Sequence, residues 1–266
     1  MAKKLEVRHL PLARPAGSMR TRIAPLAFIL FAMACCVNAQ TNTEAQAKSP
    51  EEFDDFLDIS NQHAPAEVVV SAKRFCQRWP ESALLGPVFR LELSAYRQLG
   101  DLPSAIEAGK RALKKAPDNV DVLAELAYLM ADSKPDAASL ALADSYARRV
   151  LTLVDSIQIP RSVSANEWAR LRAVLEAKAH TTLGMVAFNR AQSRVALEEL
   201  ETAKRLMPEP DLTLFYRLGL LYRAVGDDGK AIEMLQQAAR SSDPILRDLA
   251  GRQLRKARAE RPEPHK

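Results

Sequence analysis

Apolar and small side chains recur at helical spacing along most of this chain, and the recurrence itself repeats at a longer period. Gly184 and Ala196 return as Gly219 and Ala231, a period of 35 residues. Each unit has an apolar-periodic segment, a short turn, a second such segment and a closing proline, which predicts an all-α array of helix pairs. The aligned series are Leu93, Tyr96, Gly100, Ala105, Ala112 and Pro117; Gly184, Ala187, Ala191, Ala196, Ala203 and Pro208; and Gly219, Tyr222, Gly226, Ala231, Ala238 and Pro244.

Alanine pairs in the second helix of each unit indicate where the two helices approach most closely. Seven residues separate the members of each pair, which is about two helical turns, so both methyl groups lie on one face. A bulkier side chain at these positions would push the paired helices apart. The pairs are Ala105 with Ala112, Ala196 with Ala203, and Ala231 with Ala238.

The last unit resembles the tetratricopeptide repeat (TPR), whose consensus has a large residue, Leu-Gly and Tyr in the first helix, and alanines and a closing proline in the second. The matching residues are Phe215, Leu218, Gly219, Tyr222, Gly226, Ala231 and Ala238. The other units depart from the consensus at His180, which replaces an aromatic residue, at Ala187, which replaces Tyr, and at Leu93, which replaces Gly. The resemblance implies a helix-turn-helix solenoid coiled as a right-handed superhelix.

The pattern also predicts the organisation of the chain. Clear repeats fall at about 86–119, 177–210 and 212–245, degenerate ones at 51–82 and 120–155, and a polar capping helix at 244–260. Residues 156–164 are predicted to be a connector, and the helix after it, at 165–189, is longer than a repeat helix. Its extra turns either pack on neighbouring helices or form a docking arm. Residues 40–50 are predicted to be a flexible linker, and 261–266 a disordered tail.

The start of the chain has the pattern of a signal peptide. Basic residues up to Arg22 precede an apolar run from Ile23 to Val37, and small residues follow before Gln40. The run is short for a membrane span, so we predict export with cleavage after residue 39 rather than a retained anchor. The leader is long, and Met19 is an alternative start.

Cysteine offers a second interpretation of the leader. Residues 31–35, Phe-Ala-Met-Ala-Cys, resemble a permissive bacterial lipobox, in which Cys35 would be acylated, although Ala32 stands where Leu is usual. Ordinary cleavage and lipidation are therefore both open. Only Cys76 would remain after cleavage, so no intramolecular disulfide is expected, and its apolar neighbours favour a buried, unreactive thiol.

The net charge of +5 belongs to the leader. Of 38 basic and 33 acidic residues, residues 1–39 hold six basic and one acidic, which leaves 32 of each. Nucleic-acid binding therefore lacks the basic footprint that it requires. The remaining charge is polarised along the chain, acidic from Glu51 to Asp58 and basic from Arg252 to Lys266. Two solvated ends are the simpler interpretation, and head-to-tail self-association is the alternative.

The sequence shows no recognisable constellation of catalytic or metal-binding residues. No histidine lies at metal-ligand spacing from another or from Cys76, and there is neither a glycine-rich phosphate loop nor a Gly-x-Ser-x-Gly elbow. We therefore predict no catalytic residue, no metal and no cofactor. His180 has an alternative role as a general base, but it occupies a packing position in the repeat.

The TPR resemblance implies that a protein or peptide partner binds in a groove lined by the first helix of each pair. Arginine, tyrosine and methionine there would suit an extended peptide with acidic groups, although ordinary solvated helix faces carry similar residues. The Lys and Asn set of the carboxylate-clamp TPR proteins is absent. The predicted groove residues are Arg90, Ser94, Arg97, Ala124, Tyr128, Thr181, Met185, Asn189, Tyr216, Leu220 and Arg223.

Together these features predict a non-enzymatic adaptor or scaffold in the bacterial cell envelope. The alternative is a lipoprotein, tethered to a membrane through Cys35, that acts as a structural assembly factor. A third hypothesis, an enzyme with a site at His180, would require activity that depends on that residue.

Overall fold

The computed structural model describes residues 46–132, 135–157, 163–207 and 209–260. The predicted signal peptide, Cys35, residues 40–45 of the predicted linker, Pro208 and the 261–266 tail lie outside the described residues. The described residues form eleven α-helices: α1 Pro50–Asn61, α2 Pro65–Arg78, α3 Leu85–Leu99, α4 Leu102–Lys115, α5 Val120–Asp132, α6 Ala137–Val154, α7 Ala165–Asn189, α8 Ser193–Leu206, α9 Leu212–Ala224, α10 Asp228–Ala238 and α11 Pro244–Glu260.

The helices pack as sequential pairs, which confirms the all-α solenoid prediction. The pairs are α1 with α2, α3 with α4, α5 with α6, α7 with α8, and α9 with α10, and α11 covers the last pair. The second helix of each pair also packs on the first helix of the next, so buried apolar clusters follow one another along the array. This nearest-neighbour packing is the architecture of a helical-repeat solenoid.

Short turns join the paired helices. Gly100 and Gly226 adopt positive φ angles of 76° and 85° between the helices of their pairs, a conformation that glycine reaches without steric cost. At the equivalent turn between α7 and α8, Ala191 adopts the same left-handed conformation, with φ 58°. Aspartates then begin the next helix: Asp101 and Asp227 accept hydrogen bonds from backbone N–H groups three residues on.

The two helices of a pair meet where a glycine faces a leucine. A Cβ atom at Gly184 in α7 would lie 2.7 Å from Leu200 Cγ in α8, and one at Gly219 in α9 would lie 2.6 Å from Leu235 Cγ in α10. Real Cβ atoms do not approach other heavy atoms so closely. Both leucines are fully buried, so each fills the space that the missing side chain leaves.

In the pair of α3 and α4 this contact is reversed. Leu93 stands at the glycine position of the first helix, and Gly109 stands at the position of Leu200 and Leu235 in the second. A Cβ atom at Gly109 would lie 2.7 Å from Leu93 Cδ1. The departure of Leu93 from the repeat pattern is therefore compensated across the helix interface.

The degenerate pair of α5 and α6 uses two small residues instead. Ala127 and Ala147 are fully buried in one core cluster, at the positions that correspond to Gly219 and Leu235. The alanines that the sequence placed at close approach are also buried, with exposures between 0 and 2%: Ala105, Ala112, Ala196, Ala203, Ala231 and Ala238. That prediction is confirmed.

A buried hydroxyl ties the last repeat to the one before it. The hydroxyl of Tyr222 in α9 donates a hydrogen bond of 2.7 Å to Glu201 Oε1 in α8. Burial and this bond to a carboxylate raise the pKa of Tyr222 far above its usual value. The Tyr222 hydroxyl therefore keeps its proton. Lys204 Nζ lies 2.7 Å from Glu201 Oε2 and balances the negative charge of that carboxylate.

The extra turns at the start of α7 pack on the preceding connector. Trp168 is buried with Val163, and Leu171 and Ile157 pack against them. Leu175, one turn further on, belongs to the core shared with α5 and α6. The extra turns of α7 are therefore used in packing, which favours that alternative over a docking arm. Their contacts are made largely with the connector and not with a neighbouring helix.

The first helix begins inside the segment predicted to be a linker. Pro50 opens α1, Ser49 caps it through the N–H of Glu52 at 3.2 Å, and Ala47 packs against the first core cluster. The end of that segment is therefore packed rather than flexible.

The reversed contact predicts strong coupling between Leu93 and Gly109. Gly109→Leu alone should overpack the interface and cost about 1–3 kcal/mol, and Leu93→Gly alone should leave a cavity and cost about 2–5 kcal/mol. The double variant restores the arrangement of the other pairs, so we expect it to recover at least about half of the summed loss. Urea unfolding followed by circular dichroism measures each free energy of unfolding. Simple addition of the two losses would contradict this account of the interface.

Candidate functional site

The first helices of successive pairs carry a polar surface on one side of the array. In α5 every residue is buried except Asp121, Glu125, Tyr128 and Asp132. Their spacing of four, three and four residues places them on one helical face. Residues of α3, α7 and α9 converge on this face, so we define it together with its charged neighbours as the inner charge ladder: Arg90, Arg97, Asp121, Glu125, Tyr128, Asp132, Lys178 and Arg217.

Glu125 links two cations from different helices. Its Oε1 forms an ion pair with Arg97 Nε of α3 at 3.0 Å, and its Oε2 pairs with Lys178 of α7. The carboxylate is only 16% exposed, whereas the Arg97 side chain is 46% exposed. Arg97 is therefore the member of this trio that a binding partner reaches most easily.

Tyr128 lies between two cations further along the ladder. Lys178 Nζ is 5.8 Å from the centre of its ring, and the Arg217 guanidinium of α9 is 5.9 Å from the same centre. Arg217 also donates to Asp132 at 2.6 Å. Since α7 separates α5 from α9 in the sequence of pairs, this contact joins first helices two pairs apart and shows that they curve toward one another on this side.

Asp121 closes the ladder at its α3 end. Burial raises the pKa of the Asp121 carboxyl, and the neighbouring cations Arg90 and Lys178 offset part of that rise, whereas Glu125 adds to it. The ladder thus combines four cations with three carboxylates. Most of its positive charge is already offset by the protein's own acids, which leaves one cation in excess, so its electrostatic character is mixed rather than strongly basic.

Several of the predicted groove residues belong to this surface. Arg97 and Tyr128 are members of the ladder, Arg90 lies close to Asp121, and Ser94 is half-exposed on α3. Asn189 is exposed at the end of α7, where its amide donates to the carbonyl of Met185 at 2.9 Å.

Other predicted groove residues are buried, and for them the expected exposure is wrong. Met185 packs against Met130 and Ala131 of α5, because α7 lies directly on that helix. Thr181 is 9% exposed, and its hydroxyl donates back to the Ala177 carbonyl at 2.8 Å. Ala124 is also buried within α5.

The capping helix α11 covers the groove residues that were predicted in α9. Tyr216 and Leu220 share a core cluster with Leu246 and Ala250 of α11, which covers the face that would otherwise line a groove. Arg223 is half-exposed, and its guanidinium donates to Gln253 of α11 at 2.6 Å. The inner surface of the pair of α9 and α10 is therefore occupied by α11.

The sequence reasoning missed five members of the ladder: Asp121, Glu125, Asp132, Lys178 and Arg217. The first three carried a detectable signal, because they form the one polar stripe on an otherwise apolar helix. Lys178 and Arg217 carried none, because their partners lie 53 and 85 residues away in the sequence.

The residues considered for chemistry are engaged in packing or pairing. His180 Nδ1 lies 2.6 Å from Glu199 Oε2 of α8. Cys76 is half-buried, and burial raises the pKa of its thiol, which disfavours the reactive thiolate at neutral pH. Within the described ranges, no group of three or more His, Cys, Asp or Glu residues is arranged to hold a metal ion. The same ranges contain no helix that is long and apolar enough to span a membrane.

Comparison with known proteins gives matches to solved structures. The structure described as MamA RS-1 ArsTM double mutant superposes with a TM-score of 0.53 at 16% identity, covering 78% of this chain and 98% of that chain. TTC0263, a thermophilic TPR protein of Thermus thermophilus, matches with a TM-score of 0.49 at 18% identity, covering 78% and 99%. No family model and no curated protein matches the sequence. The first likeness shows the fold alone: a TPR-like solenoid of helix pairs.

The ladder predicts that its innermost ion pair contributes to stability. Arg217 and Asp132 are each only 17% exposed, so Asp132→Ala leaves a largely desolvated guanidinium without its carboxylate. We expect a loss of about 1–3 kcal/mol in the free energy of unfolding. Asp248→Ala, which breaks an exposed pair with Arg252, should change that energy by less than about 0.5 kcal/mol. Equal effects in urea unfolding would show that the ladder does not differ from surface pairs.

Proposed function

We propose that this protein is a non-enzymatic scaffold that binds a protein partner on the inner charge ladder. The observation that carries the proposal is the polar stripe of α5, which is the only unburied face of that helix and is joined by charged side chains from α3, α7 and α9. When a helix is packed on all its other sides, charged and aromatic residues on its one exposed face are typical of contact with water or with a binding partner.

The chemistry of the ladder narrows the kind of partner. Each cation already has a carboxylate nearby, so a purely acidic peptide would gain little net charge attraction. A segment with both acidic and basic side chains can exchange ion pairs with Arg97 and Glu125 while an apolar or aromatic group rests near Tyr128. This revises the sequence expectation of an acidic peptide toward an extended segment of mixed charge.

The absence of catalysis is part of the proposal. It is supported by the pairing of His180 with Glu199 and by the half-buried state of Cys76, since both groups serve the packing of the helices that carry them. The TPR-like fold also presents surfaces rather than an enclosed reaction site.

Crosslinking in cells tests where the partner binds. A photoreactive amino acid at Ser94, on the inner side of α3, should crosslink a specific protein. The same group at Val195, which is 46% exposed on the second helix α8, should not.

The affinity of the purified partner, measured by calorimetry, then tests the ladder itself. Arg97→Ala combined with Glu125→Ala should weaken binding at least about tenfold. The matched control is Arg149→Ala with Asp118→Ala, an exposed ion pair outside the ladder, which should leave affinity unchanged. Equal affinity of wild type and ladder variant would refute the inner surface as the binding site.

We further propose that the scaffold works in the cell envelope. The support is the leader pattern: basic residues, an apolar run, and small residues before Gln40. A soluble exported protein is the first form of this proposal, and a lipoprotein tethered through Cys35 is the alternative, since Ala34 before the cysteine suits a lipobox.

Mass spectrometry of the protein isolated from cells distinguishes these forms. Export with ordinary cleavage predicts a chain that begins at Gln40, whereas lipidation predicts a chain that begins at an acylated Cys35. Cys35→Ser should abolish the acylated form and leave ordinary cleavage unaffected. A protein that retains residues 1–39 in full would contradict the envelope location.

A further inference from the structure

The two ends of the array carry opposite charge. Helix α1 contains five acidic residues and no basic one, and α11 contains five basic and two acidic residues. They are the first and the last of the described helices: α1 packs on α2 and α3, and α11 packs on α10 and α9. Each therefore has one face that no other described helix covers.

The acidic face is exposed and unpaired. Asp54 and Asp58 are exposed, lie four residues apart on one side of α1, and form no ion pair within the part of the chain that the structure describes. Asp55, between them, differs: its carboxylate accepts from Arg78 at 2.9 Å and from the Trp79 indole at 2.7 Å. Phe53 adds a large apolar group beside this face, with 47% of its surface exposed.

The basic face of α11 has the same construction with the opposite sign. Arg252, Arg255 and Lys256 are exposed and share one side of the helix through their spacing of three and four residues. Arg252 pairs with Asp248 at 2.6 Å, whereas Arg255 and Lys256 form no ion pair among the described residues. Ile245, near the start of the helix, is 45% exposed.

Like charges four residues apart on a helix repel each other. Asp54 and Asp58 form such a pair at one end, and Arg252 and Lys256 form one at the other, where Asp248 offsets part of the charge of Arg252. In both pairs the charged residues are separated by about 6 Å along the helix axis. The two faces therefore match in spacing, and bringing them together would relieve the repulsion in both helices while covering Phe53 and Ile245.

We propose that the chain associates head to tail with further copies of itself, through the Asp54 and Asp58 face of α1 and the Arg255 and Lys256 face of α11. The contact joins two different surfaces, so it propagates into a linear chain, or a ring where the rotation closes. None of the residues of the inner charge ladder belongs to either of these faces.

The test uses two variants that each neutralise one end. Asp54→Asn with Asp58→Asn removes the acidic face, and Arg255→Gln with Lys256→Gln removes the basic face. By sedimentation velocity at about 50 mM salt, the wild-type chain should form a concentration-dependent series of oligomers that dissociates at about 500 mM salt. Each variant alone should associate at least about tenfold more weakly than wild type.

Mixing the two variants gives the decisive result. Each retains one intact end, so an equimolar mixture should form a one-to-one dimer and nothing larger. Dimer formation also shows that both variants are folded. The control, Glu107→Gln with Lys110→Gln, removes an exposed ion pair on α4 and should assemble like wild type. A wild-type chain that stays monomeric at low salt, variants that assemble like wild type, or a mixture that stays monomeric would each overturn the proposal.

Discussion

Close contact between the two helices of a pair is the constraint on which this structure depends. The helices approach so closely that a leucine on one side requires a glycine on the other, as Gly184 with Leu200 and Gly219 with Leu235 show. This approach buries the alanines of the second helices and fixes the position of each first helix. The polar stripe of α5 is left on the inner surface of the array because the rest of that helix is used in packing contacts.

The same packing accounts for the character of the inner surface. First helices that curve toward one another bring Arg217 of α9 to Asp132 of α5, across an intervening pair. A charged side chain that is partly removed from water is destabilising unless an opposite charge lies nearby, and in the ladder these opposite charges come from the protein itself. The proposed binding surface is therefore an ordered polar network before any partner arrives, which favours recognition through exchange of ion pairs over attraction to a single charge.

The sequence was sufficient to predict the helix pairs, their period and the buried alanines, because these follow from local periodicity. It did not reveal that Leu93 is balanced by Gly109, since that requires knowing which residues face each other across an interface. Exposure within the groove was predicted poorly for Met185, Tyr216 and Leu220, because their cover comes from α5 and α11, not from their own helix. Arg97 and Tyr128 were predicted correctly because their exposure follows from their own position in the first helix of a repeat and does not depend on a distant helix.

The reversed contact in the pair of α3 and α4 bears on how this array could have been rearranged by duplication and recombination. A first helix that carries Leu93 accepts only a second helix with a small residue at the position of Gly109, and a first helix with Gly184 or Gly219 leaves a void unless a leucine faces it. Exchange of single helices between repeats would thus produce clashes or holes. Exchange of whole pairs would keep this contact but would still have to match the neighbouring pair, because a Cβ atom at Gly109 would also lie 3.2 Å from Leu126 Cδ1 of α5. The match of a small residue to a leucine is therefore a property of the pair, and it is kept only when both helices of a pair are exchanged together.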